Sequence, residues 1–88
     1  MVQKIPLEEQ IRQEQEIIGR TQAVIDRLEK ERARIEATLP PNEIDYEIQM
    51  ATVRLGVNAA KRHIRAHEMS LQTLLARAQA LENKEVIP

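Results

Sequence analysis

Two histidines are the residues of this chain whose type and spacing most resemble a metal site. His63 and His67 are four residues apart, so on an α-helix both imidazoles would lie on one face, as two ligands of one ion would. The intervening Ile64, Arg65 and Ala66 lack the glutamate of the His-Glu-x-x-His zinc motif, and the nearby cations disfavour a second positive ion. We therefore expect no metal site, and we expect His67 to have a structural role.

A basic segment surrounds these histidines. Between positions 54 and 67 there is no acidic residue, and the segment contains the candidate anion-binding residues Arg54, Lys61, Arg62 and Arg65. Such a cluster suits the phosphates of a nucleotide or nucleic acid, or an acidic protein surface, although no aromatic residue is interleaved to stack on bases. The alternative is a solvated helix face with ion pairs, in which Glu16 and Asp26 supply the carboxylates.

The sequence contains no set of residues typical of catalysis. There is no cysteine, no phosphate-binding loop, no Ser/His/Asp arrangement and no convincing carboxylate pair. The aromatic content is one tyrosine, so the large side chains that usually line an enclosed pocket are absent. We expect no enzyme activity, no catalytic residue and no cofactor.

Two heptad patterns separated by Pro40 and Pro41 predict the elements that position these residues. The first pattern runs through Leu7, Ile11, Glu14, Ile18, Thr21, Ile25, Leu28, Arg32, Ile35 and Leu39. The second runs through Met50, Val53, Val57, Ala60, Ile64, His67, Leu71, Leu74, Ala78 and Leu81. A link this short returns the second helix along the first, so we predict an all-α, coiled-coil-like antiparallel two-helix hairpin in which Glu14 pairs with His67.

The prolines and the heptad patterns also predict where the helices begin and end. A single domain over 1–88 would contain helix 1 over about 6–38, a turn over 39–42 and helix 2 over about 43–83, with a frayed tail over 84–88. Pro6 suits a first helical turn, and Asn42 is the predicted N-cap of helix 2.

Helix 2 has a second apolar stripe that one partner helix cannot use. Its predicted interface residues are Ile44, Ile48, Ala51, Leu55, Ala59, Ala66, Met69 and Ala76. Alanines at helical spacing let another helix approach closely, and the larger side chains are poor choices for open solvent. We expect self-association into a four-helix dimer or a higher oligomer, or docking to another protein. The alternative is that the alanines are only good helix formers on a solvated face.

Composition narrows the functional class. With 88 residues and a formal net charge of −1, the chain has a thin core and no overall attraction to nucleic acid or anionic membranes. It lacks a signal-peptide pattern and an apolar run of membrane-spanning length, so a cytoplasmic protein is expected. The sequence favours a non-enzymatic interaction module, an adaptor, assembly factor or protein inhibitor, that docks helix to helix. The alternative is an oligomer that sequesters a nucleotide or contacts nucleic acid through the basic segment.

Overall fold

The computed structural model describes residues 5–86, with side chains over 5–84, and contains two long α-helices. These are α1 (Leu7–Thr38) and α2 (Ile44–Val86), and no strand occurs in the described range. The helices run antiparallel, because Leu28 of α1 lies against Gly56 of α2 while Glu14, nearer the start of α1, contacts His67, farther along α2. The molecule measures 70 × 30 × 14 Å. The predicted all-α helical hairpin is confirmed.

The two prolines end α1 and turn the chain. Leu39 has an extended backbone (φ −111°, ψ 138°), as expected of a residue before proline, and its N–H donates to the Ile35 carbonyl at 2.9 Å. The Glu43 N–H then donates to the Pro40 carbonyl at 3.2 Å. Because the Leu39 side chain packs on the core, the turn is tied to both helices.

The helix ends differ from the predicted ones by a few residues. Asn42 does not occupy the N-cap position, because the carbonyl of Glu43 accepts the N–H of Glu47 at 3.4 Å and α2 begins one residue later. Pro6 is the N-cap of α1 rather than its first helical residue. α2 continues to Val86, since no glycine or proline follows Gly56 until the end of the sequence. Residues 87 and 88 of the predicted tail lie outside the described residues.

The core lies in the half of the hairpin nearest the turn. Its buried residues all belong to the two heptad patterns and are Ile25, Ile35, Val53, Val57 and Ala60. Side chains packed around them are Leu28, Leu39, Tyr46, Met50 and Ile64. This seam occupies only one side of α2, so among the described residues nothing packs on the other side. Within the described residues, neither helix combines the length and apolar character needed to cross a bilayer.

Candidate functional site

The predicted pair between the helices is present. Nδ1 of His67 lies 2.5 Å from Oε2 of Glu14, and because an ionised carboxylate only accepts, the imidazole donates. The two side chains are 25% and 20% exposed, so the contact is partly shielded from water. It is the one salt bridge in the described residues that joins α1 to α2. The pair therefore specifies the register in the half of the hairpin that has no fully buried layer.

The second histidine does not complete a metal site. The rings of His63 and His67 are packed edge to face, with centroids 4.4 Å apart and planes at 65°. Nδ1 of His67 is already engaged by Glu14, which leaves only its Nε2 for a ligand. Among the side chains of residues 5–84, no three from His, Cys, Asp or Glu come close enough to hold an ion. The arrangement is a small polar cluster at the edge of the seam.

The main candidate site is the side of α2 that faces away from α1, here called the far face. Val53 is buried against α1, whereas Leu55, two residues later and so about 200° around the helix, points to the opposite side. The four large residues of the far face are strongly exposed: Ile44 74%, Ile48 58%, Leu55 69% and Met69 66%. Ala59, Ala66 and Ala76 are also exposed, and Ala51 is half-buried. No other part of the described chain covers this apolar stripe.

Arg62 also belongs to the far face, which reasoning from the sequence missed. It follows Ala59 by three residues and precedes Ala66 by four, so it occupies a position of the same stripe and is exposed. The sequence reading classed it only by charge, as one member of the basic segment. Its spacing from Ala59 and Ala66 would have been enough to place Arg62 on this stripe. A helix that docks on the far face must therefore accommodate one cation at the middle of an apolar strip.

The four cations of the basic segment have no salt bridge within the described residues. All four candidate anion-binding residues, Arg54, Lys61, Arg62 and Arg65, are exposed. The two carboxylates that were expected to pair with these cations, Glu16 and Asp26, contact other residues of α1 instead. Glu16 contacts Arg12 at 2.5 Å and Arg20 at 3.9 Å, and Asp26 accepts from the Gln22 amide at 3.3 Å. The alternative of a face neutralised by α1 is therefore wrong for these two carboxylates.

An open groove of about 320 Å³ runs between the helices beside this segment. Arg54 and Lys61 line it from α2, together with Asn58 and the apolar side chains of the seam. Arg32 lines it from α1 and contacts the carboxylates of Glu29 at 3.3 Å and Glu36 at 3.4 Å, which also border the groove. Arg32 is thus paired with carboxylates of its own helix, whereas Arg54 and Lys61 have no salt bridge within the described residues.

The remaining salt bridges of the described residues lie within α1. Hydrogen bonds from Arg12 hold the pKa of the Glu9 carboxyl below its usual value, and Arg34 does the same to the pKa of Glu31. The side chains of Glu9 and Glu31 are 38% and 44% exposed, and those of Arg12 and Arg34 are more than half exposed, so their interactions support the helix only weakly and are screened by salt. Charge pairing therefore stabilises α1 as a helix, and α2 relies on packing.

Comparison with known proteins does not assign the chain to a family. No protein-family model, curated protein or solved structure matches the chain. The function must therefore be argued from the far face, the basic segment and the Glu14–His67 pair themselves.

Proposed function

We propose that this chain is a small, non-enzymatic protein-interaction module that works by helix-to-helix docking through the far face of α2. An adaptor, an assembly factor and a protein inhibitor all use such a surface. The observation that supports the proposal is the exposure of Ile44, Ile48, Leu55 and Met69 on the side of α2 that α1 does not reach. The described residues fold into a hairpin without using these side chains, so their apolar surface is available to a partner.

The energetics of the far face favour an occupant. Burying one Leu, Ile or Met side chain from full exposure contributes about 1.5–3 kcal/mol, and four such residues can offset a large part of the entropic cost of association. The alanines between them allow interaxial distances of about 8–10 Å, at which a second helix can pack in coiled-coil fashion. Assembly into a four-helix dimer or higher oligomer is one form of this docking.

The test replaces apolar side chains at the centre of the far face. In the variant Leu55→Glu with Met69→Glu, a carboxylate would be buried in any docked complex, so we expect complexes to dissociate while the hairpin stays folded. The matched control is Thr38→Glu with Gln79→Glu, because both residues are exposed and lie outside the far face. Light scattering and capture from native lysate measure association, and circular dichroism verifies folding. Complexes that persist unchanged in the first variant would overturn the proposal.

The second candidate function is anion binding, and one observation favours it. The four cations Arg54, Lys61, Arg62 and Arg65 have no salt bridge in the described residues, so no internal carboxylate must be displaced before a phosphate binds. A nucleotide or a nucleic-acid backbone supplies the required chemistry, with charge-assisted hydrogen bonds from guanidinium groups.

A variant that removes three of these charges separates the two functions. Lys61→Ala, Arg62→Ala and Arg65→Ala together should abolish binding of a fluorescent nucleotide or oligonucleotide and flatten its dependence on salt. Docking through the apolar far face should survive this change. Nucleotide recovered from lysate with the parent chain, retained by the Leu55/Met69 variant and lost only in the triple variant, would favour anion binding over docking.

A further inference from the structure

We propose that the occupant of the far face is the far face of a second copy, docked antiparallel about a two-fold axis that passes beside Arg62. This inference rests on the proposed docking function and adds the partner, the direction and the register. Position 62 lies midway between Ile44 and Ala80 in the sequence, and equally midway between Ile48 and Ala76. A two-fold axis at this position therefore brings the two ends of the far face together.

Size complementarity supports the antiparallel direction. Large side chains lie at the start of the far face, where Ile44 and Ile48 stand out, and small ones lie at its end, where Ala76 and Ala80 follow the same spacing. In the antiparallel arrangement each isoleucine meets an alanine of the second copy, which gives an even interaxial distance. A parallel arrangement would instead place isoleucine against isoleucine at one end and alanine against alanine at the other, so the helices would splay or leave a gap.

The centre of the far face obeys the same symmetry. Leu55 and Met69 are equally distant from position 62, so the two-fold axis places them opposite each other across the interface. They are 69% and 66% exposed in the hairpin. Each copy thus supplies the two largest central side chains, and all four become buried together.

One pair of charges beside the far face is complementary only in the antiparallel register. Asp45 and Arg77 border the same side of it, and both are exposed and have no salt bridge in the described residues. In the antiparallel dimer Asp45 lies near Arg77 of the second copy, within about 3 Å of direct opposition along the helix. In a parallel in-register pair Asp45 and Arg77 of the two copies would lie about 48 Å apart along the helix.

Arg62 is the unfavourable element of this arrangement and gives its sharpest test. On the two-fold axis it approaches Arg62 of the second copy, so like charges meet inside an apolar strip. Replacing Arg62 by Leu removes the repulsion and adds apolar surface in both copies, so the dimer should become about tenfold tighter or more. Arg65→Leu is the control, because Arg65 lies outside the far face, and it should change the dissociation constant little.

Cysteine cross-linking tests the register of the dimer, and the chain suits it because its sequence contains no cysteine that would compete. Single variants Ile48→Cys and Ala76→Cys are oxidised alone and as a mixture. Positions 48 and 76 are about 42 Å apart along one helix, so a disulfide between them must join two copies. We expect cross-linked dimer from the mixture and little from either variant alone, with Thr38→Cys as the unreactive control. Ready cross-linking of Ile48→Cys to itself would overturn the antiparallel register.

Sedimentation of the parent chain separates this inference from the function on which it rests. A parent chain that stays monomeric at high concentration overturns the second-copy inference. If a different protein is nevertheless captured and lost with the Leu55/Met69 variant, the docking function stands without it. A dimer that forms, survives that variant and shows no cross-link between positions 48 and 76 overturns both.

Discussion

Truncation of two isoleucines on opposite sides of the linker tests the division of the chain into a used and an unused apolar face. Ile35 is 1% exposed at the heart of the seam, whereas Ile44, nine residues later, is 74% exposed on the far face. The change to alanine is chemically identical at both sites. Ile35 lies inside α1, whereas Ile44 is the first residue of α2, so any gain in helix propensity from alanine falls mainly on Ile35 and can only reduce the expected difference.

The expected magnitudes follow from burial. Ile35→Ala removes buried apolar surface and leaves a cavity, which costs about 3 kcal/mol within the range for such changes. Ile44 is already mostly in contact with solvent, so its truncation should cost below about 1 kcal/mol. In a domain of this size 1 kcal/mol moves Tm by about 4–8 °C, so Ile35→Ala should lower Tm by more than about 12 °C.

Thermal unfolding followed by circular dichroism measures the difference. The experiment is run at the lowest usable concentration, where the chain is monomeric by sedimentation, and repeated at high concentration. In the dilute sample only Ile35→Ala should be strongly destabilised. In the concentrated sample Ile44→Ala should also lose stability, because docking stabilises the native state by mass action. Equal losses for both variants in the dilute monomer would refute the assignment of the seam and the far face.

Two further predictions concern the hairpin itself. Gly19→Ala should raise the free energy of unfolding by about 1 kcal/mol, because nothing lies within 4 Å of an added Cβ. Gly56→Ala should gain less, because its Cβ would sit 3.1 Å from Cδ1 of Leu28. Thermal unfolding of the two variants measures the difference, and equal gains would contradict the close approach at Gly56. A double-mutant cycle with Glu14→Leu and His67→Leu, measured by urea unfolding, should give a coupling free energy of about 1 kcal/mol. The double variant should be at least as stable as the parent chain. A coupling near zero would show that the pair does not stabilise the hairpin.

A dimer formed through the far face would be a row of helices rather than a bundle around one shared core. The seam and the far face lie on opposite sides of α2, so α1 of each copy would stand outermost and the two α2 helices would be central. Each α2 would then be buried on two sides. This accounts for the composition of α2, which carries more apolar residues and fewer salt bridges than α1 in the described range.

The sequence alone determined the two helices, the turn and the residues of the seam. Heptad spacing is a property of each helix by itself, so the side on which Ile25, Ile35 and Val57 lie follows without knowledge of the partner. The short link forces antiparallel pairing, and from the register the contact of Glu14 with His67 could be predicted.

Tertiary structure decided which layers of the seam are buried and which charged side chains pair. Both heptad patterns continue along their helices, yet the buried residues Ile25, Ile35, Val53, Val57 and Ala60 all lie in the half of the hairpin nearest the turn, because spacing along one helix does not fix how closely the two helices approach. Side-chain pairing is equally contextual, because an exposed carboxylate such as Glu16 can reach several cations at similar cost. It pairs with Arg12 and Arg20, each four residues away on α1, and not with the cations of the basic segment; the sequence offers all of these partners, and the structure shows which of them Glu16 contacts.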